Sequence, residues 1–272
     1  MSRYPLDRRQ FLTLPLGLFL APLLAAPAPR IAGAEPETRR TAYGVDVGVL
    51  WDAMTFQLPG TLDESVDRTA GRYEIKAVGQ GSQIQNRIES RGVLAAGRWA
   101  PLEATSWFQV AGRETRSQTL YDYDKRRVEY HFKGETFLLR RVRVADDVVT
   151  IPPGLHVDDV ITAVLNYADG RWPPEADGGY HTHVVRRQRP AKEGPDDVSQ
   201  NYRAELVPLI LKVAPDPETG KPAATFDLSR FSSWAKERQP ARVLFGPDRR
   251  PESIVASLIL GTSITIRFRG QA

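Results

Sequence analysis

Alternation with a period of two is the feature that most limits what this chain can become. In residues 262–269, Thr262, Ile264, Ile266 and Phe268 fall on one side of an extended backbone, while Ser263, Thr265, Arg267 and Arg269 fall on the other. A helix would scatter these residues around its axis, whereas a strand turns one face to a core and the other to water. The run 254–260 is nearly continuously apolar, as in a strand covered on both faces, and Gly261 after it permits a bulge or sharp bend. The same reading predicts strands at 43–58, 73–79, 107–110, 117–123, 128–132, 137–144, 180–185 and 202–213. Asp124-Lys125-Arg126 and Lys133-Gly134-Glu135 are short enough for hairpin turns, which favours antiparallel pairing over crossovers. Loops are expected at 59–72, 189–200 and 215–223, where proline, glycine and charge concentrate.

Helical spacing is confined to two places. After Pro152-Pro153-Gly154, the residues Val157, Val160, Ile161, Val164 and Leu165 share one helical face, with Asp158 and Asp159 near the positive N-terminal end and Gly170 as the stop. A second short helix is expected to begin at Asp227, where Phe226 and Phe231 would staple its first turn and Trp234 would continue the apolar side. The predicted class is therefore all-β and mainly antiparallel: a curved sheet or barrel-like sandwich with one or two short helices. There is no internal repeat and no clear linker beyond residue 34, so 35–272 is expected to form a single β-rich domain.

The first 34 residues read as an export signal. Asp7-Arg8-Arg9-Gln10-Phe11-Leu12 puts paired arginines before a hydrophobic run, and Ala32-Gly33-Ala34 offers the small residues a signal peptidase needs. The arginine pair followed by Phe and Leu resembles the twin-arginine leader of proteins that cross the bacterial inner membrane already folded. Gln10 to Pro29 is uncharged and long enough to span a bilayer. Pro15, Pro22, Pro27 and Pro29 interrupt it, which suits a cleaved leader better than a permanent helix. The expectation is a periplasmic protein with no transmembrane segment in its mature chain.

Removing the leader changes the charge argument. It takes away Arg3, Arg8, Arg9, Arg30 and Asp7, leaving 33 of the 37 basic and 32 of the 33 acidic residues. A nucleic-acid-binding role thereby loses its main support. Zero cysteines exclude disulfides, thiol nucleophiles and thiolate metal sites.

Few residues cluster in ways that point to chemistry. His181-Thr182-His183 places two imidazoles on one side of a strand, where they can share a metal ion if a third ligand reaches them. Asp146-Asp147 and Asp158-Asp159 are adjacent and diverge on a strand, so neither pair is by itself a general acid/base couple; Asp122 and Asp124 fit turn roles. The chain has no Gly-x-Ser-x-Gly elbow, phosphate-binding glycine loop or dinucleotide fingerprint. No catalytic residue and no cofactor is predicted.

Arginines recur in clusters at Lys125-Arg126-Arg127, Arg140-Arg141 with Arg143, Arg186-Arg187 with Arg189, and Arg249-Arg250. Guanidinium forks bind phosphate and carboxylate in a bidentate manner, so clusters converging on a rim would hold an anionic head group. A curved sheet can accept an acyl chain in its mouth, and Trp51, Phe56, Trp99, Trp107, Phe108 and Phe132 are candidate wall residues. Arg141, Arg143, Arg186, Arg187 and Trp107 are the predicted ligand contacts, and His181 and His183 the predicted metal pair.

The order of short motifs also resembles a family. Behind the leader come Tyr43-Gly44-Val45, Tyr73-Glu74-Ile75, Gly97-Arg98-Trp99-Ala100-Pro101-Leu102, Tyr121-Asp122-Tyr123-Asp124 with Val128, the helix at 158–165 and a closing strand after Arg250-Pro251. Over 43–269 this looks like domain-of-unknown-function family 3108 of exported bacterial proteins. The resemblance implies a curved, mostly antiparallel β architecture in the periplasm, with no established activity or catalytic set. The expected function is a non-enzymatic envelope protein that binds an amphipathic or anionic envelope ligand, such as a lipid. Two other readings stay open: a metal-dependent periplasmic enzyme using His181 and His183, and an assembly factor that binds another envelope protein through an exposed strand edge.

Overall fold

The computed structural model describes residues 35–49, 54–136, 139–188, 190, 193–194, 196–228, 239–258 and 261–270. The export signal at 1–34 lies outside them. Fourteen strands make one sheet: β1 (Glu37–Val49), β2 (Met54–Asp67), β3 (Arg72–Gln80), β4 (Ile84–Ala95), β5 (Arg98–Val110), β6 (Arg113–Asp122), β7 (Arg127–Glu135), β8 (Val142–Thr150), β9 (Tyr180–Arg187), β10 (Ala204–Pro215), β11 (Pro222–Phe226), β12 (Ala241–Phe245), β13 (Pro251–Ser257) and β14 (Ser263–Arg269). The order is β8 down to β1, then β14 down to β9, and the named pairs are all antiparallel.

Two meanders are thus joined where β1 meets β14, with Val45 opposite Ile266 and Val47 opposite Ile264. The two ends of the sheet approach each other, β8 lying against β10 and β7 against β9. The segment after β8 makes a parallel bridge from Val157 to His183, the Asp158 N–H donates to the His183 carbonyl at 2.8 Å, and Asp147 on β8 accepts from the Ala204 N–H at 2.9 Å. The result is a nearly closed, barrel-like sheet, as the period-two pattern predicts.

The one helix among the described residues, α1 (Val160–Ala168), stands near the predicted place. Asp159 is its N-cap and accepts from the Ile161 and Thr162 N–H groups, which satisfies two donors that would otherwise lack partners. Gly170, at φ +67, follows the last turn. Leu165 packs with Val66, Tyr73, Ile75 and Trp99, while Ala163 and Tyr167 pack with Trp172, Val184, Val207 and Phe245. The helix therefore ties β2, β3 and β5 to β9, β10 and β12.

Several boundaries differ from the sequence expectations. Residues 59–72 are largely strand, because β2 runs to Asp67. The β2–β3 register begins at Gly60, so Pro59 sits at the edge of that pairing rather than inside it. Gly60 is required by space, since a Cβ there would overlap the Tyr43 ring. Lys133-Gly134-Glu135 is not a turn but the end of β7, and the strand expected at 137–144 begins only at Val142. The single run expected at 43–58 is the end of β1 and the start of β2. The strands β4, β11 and β12 have no counterpart among those expected from the sequence. The helix expected from Asp227 falls mostly in 229–238, outside the described residues.

Candidate functional site

Core-side positions can be followed strand by strand, because partners in an antiparallel register share a face. Ala104 packs against the cluster of Tyr121, Val128, Ile151 and Val157, so Ser106, Phe108 and Val110 point to the same side of β5. Their β4 partners are Ile88, Asn86 and Ile84. Asn86 accepts a hydrogen bond from the Tyr43 hydroxyl at 3.0 Å, which carries the face across to β1, where Val45 and Val47 follow in alternation. Opposite these lie Leu58 and Phe56 on β2 and Ile266 and Ile264 on β14.

This side is filled only in part. Around α1 it is packed, yet Phe108 and Val110 each remain 37% exposed, and Val45, Val47, Phe56, Ile84, Ile88, Ile264 and Ile266 are half-buried. None of these nine belongs to the four packed clusters. Apolar side chains on a core face that the core does not cover form a wall open to solvent.

Guanidinium groups stand at the edge of that wall. β5 and β6 are joined by Ala111 and Gly112, at φ 48° and 74°, the left-handed pair that suits a two-residue hairpin. Arg113 donates to the Ala111 carbonyl at 3.0 Å and Arg140 to the Gly112 carbonyl at 3.2 Å. Arg140 also pairs with Glu135 and keeps most of its side chain in water.

The predicted ligand contacts are dispersed. Arg143 and Arg187 turn inward to Glu193, whose carboxylate receives two hydrogen bonds from Arg187, at 2.8 and 2.7 Å, and lies 3.6 Å from Arg143. Arg186 pairs with Glu205 at 2.7 Å, and Arg141 is exposed, its N–H donating to Thr136. Trp107 is on the outer face. Of the other wall candidates, Phe56 and Phe108 line the open core face, Trp99 is buried beside α1, Phe132 packs beside Tyr130, and Trp51 is outside the described residues.

His181 and His183 share a side of β9, and His181 is engaged by Asp177 at 3.1 Å and Glu175 at 3.5 Å. Burial holds the His183 imidazole below its ordinary pKa, against the opposing charge of Glu175. Among the described residues, no group of three or more His, Asp or Glu stands close enough to hold a metal ion.

A buried acid knot beneath α1 was not foreseen. Asp158 is fully buried; it meets Arg98 at 2.5 Å, Thr182 at 2.6 Å, His156 at 3.0 Å and Asn166 at 3.2 Å. Beside it, Asp159 accepts from Ser90 and Thr162 at 2.6 Å, and burial raises its pKa. Burial also raises the hydroxyl pKa values of Tyr73, Tyr121 and Tyr123. Asp158 has no solvent access and bonds to Arg98 of β5, Thr182 of β9 and Asn166 of α1, so the knot fixes α1 to the sheet.

No family model matches the chain, and no curated protein matches it. The chain is similar to a β-barrel-like protein of a domain of unknown function, DUF1849, from Brucella abortus, at 10% identity and a TM-score of 0.36, over 88% of this chain and 98% of that one. Membership of family 3108 in particular finds no match, and the β-rich class rests on the fourteen-stranded sheet itself.

Proposed function

We propose that the chain is an exported periplasmic protein that binds an amphipathic, anionic ligand on the open part of its core face. The observation that carries this reading is the exposure of Phe108 and Val110 on the side of β5 that elsewhere packs the core. An acyl chain lying along Ile84, Phe108 and Val110 would bury surface that folding leaves wet, at roughly 25 cal/mol per Å². An acidic head group would then meet the guanidinium groups of Arg113 and Arg140, which the Ala111 and Gly112 carbonyls hold at the β5–β6 turn. Export is supported by the arginine pair and small-residue cleavage pattern of residues 1–34.

Calorimetric titration with palmitate tests the reading. Saturable binding is expected, weakened by about tenfold or more when Val110→Asp puts a charge on the wall, a loss of about 1.4 kcal/mol. Binding that Val110→Asp leaves unchanged, or no binding by the unaltered chain, would remove this reading.

A further inference from the structure

A second surface lies on the outside of the sheet. The register places Arg87 opposite Trp107, Trp107 opposite Arg116, Arg116 opposite Lys133 and Lys133 opposite Val144. These five residues form one row perpendicular to the strands, from β4 to β8. The neighbouring row on the same face holds Thr105, Gln118, His131 and Asp146. Both rows line one groove, of about 780 Å³. Five strands at about 4.8 Å spacing make the row about 19 Å long.

The two rows differ in chemistry. One presents an indole among three cations; the other presents hydroxyl, amide, imidazole and carboxylate groups able to donate or accept. Glu114 accepts from the Trp107 indole N–H at 2.8 Å and also pairs with Arg116, so it holds ring and guanidinium side by side. Arg87 pairs with Glu89 and His131 with Asp146, but Lys133 makes no ion pair among the described residues.

We infer that this groove binds an acidic glycan lying across the strands. The flat apolar face of a sugar ring stacks on Trp107, a ring carboxylate sits on Lys133, and hydroxyl groups bridge to Thr105, Gln118 and Asp146. A nucleic-acid strand is a poorer match. Glu89, Glu114 and Asp146 lie on the same face and repel a backbone charged at every unit, and Trp107 is the row's one stacking ring. A glycan with charge on only some units leaves those carboxylates free to accept from hydroxyls. The site is distinct from the open core face, because Trp107 and Phe108 point to opposite sides of β5.

Isothermal titration with an oligogalacturonate tests it, with maltotetraose as the neutral comparison and oligothymidylate as the polyphosphate. The expected result is binding of the oligogalacturonate that falls at least tenfold in Trp107→Ala and in Lys133→Glu. Trp107→Phe should retain most of it, and both comparison ligands should bind at least tenfold more weakly. Circular dichroism identifies any variant that fails to fold; Lys133, being exposed on the strand surface, provides the variant least able to disturb folding. Equal binding of maltotetraose, tighter binding of oligothymidylate, no binding of oligogalacturonate, or affinity unchanged in a folded Lys133→Glu would each overturn the inference.

Discussion

Arg98 reaches Asp158 across the interior, nitrogen to oxygen at 2.5 Å, with the carboxylate fully buried and the guanidinium 5.1 Å from the centre of the Trp172 ring. The pair joins the start of β5 to the residue before the N-cap of α1. Removing the cation strands a buried charge, which costs about 3 kcal/mol or more. Arg98→Met is therefore expected to lower the melting temperature sharply. Adding Asp158→Asn to that variant should recover part of the loss, since the amide keeps the shape and can still bond Thr182 and Asn166. Purely additive losses in calorimetry would show that the two groups are not coupled.

Glu193 gives the molecule an acid-sensitive tie. Burial alone would raise its pKa, but hydrogen bonds from Arg187 and Tyr202, with the charges of Arg187 and Arg143, outweigh burial and hold it below the ordinary 4.5. A depressed folded-state pKa contributes stability that is present above the unfolded value and lost as pH falls through the folded one. Glu193→Gln should therefore be less stable than the parent at pH 7, and the difference should shrink as pH drops below about 4.5. Urea midpoints measured from pH 7 to pH 3 check the sign; a difference that grows on acidification would refute it.

Gly92 occupies the register shift between β4 and β5. A Cβ there would collide with the Ala100 carbonyl oxygen and the Tyr73 ring, neither of which can yield easily. Gly92→Ala is expected to cost about 1–3 kcal/mol by overpacking. Gly97→Ala has no atom within 4 Å of its Cβ, but its φ of +82° strains any side chain, so it should cost about 1–2 kcal/mol through the backbone alone. Denaturant unfolding of the two variants separates steric from conformational loss: Gly92→Ala should be repaired in part by Tyr73→Leu, and Gly97→Ala should not.

What was legible in the sequence was local. The alternation of 262–269 gave β14, and the spacing from Val157 to Leu165, with Asp159 before it and Gly170 after it, gave α1. The turn role expected for Asp122 is met by its hydrogen bond from the Lys125 N–H. Misreadings arose where a long-range partner decides the conformation. Pro59 and Gly60 look like a loop until the β2–β3 register is known to begin at Gly60 and the Tyr43 ring to need the space. Side-chain partners across the fold were equally hidden: Arg143 and Arg187 are 44 residues apart in sequence numbering, and only the fold brings both to Glu193. The open wall had a trace in the pattern, since Phe108 and Val110 alternate with Trp107 and Gln109. That a core face would be left uncovered there depends on α1 packing elsewhere, which no local pattern encodes.

An acyl chain bound on the uncovered core face would lie against Ile84, Phe108 and Val110. A fatty acid bearing a photoreactive diazirine along its tail, irradiated with the chain and mapped by mass spectrometry, tests it most directly. Crosslinks concentrated at Ile84, Phe108 and Val110, and competed away by excess palmitate, are the expected result. Crosslinks confined to the outer face around Trp107, or scattered and unaffected by palmitate, would contradict it.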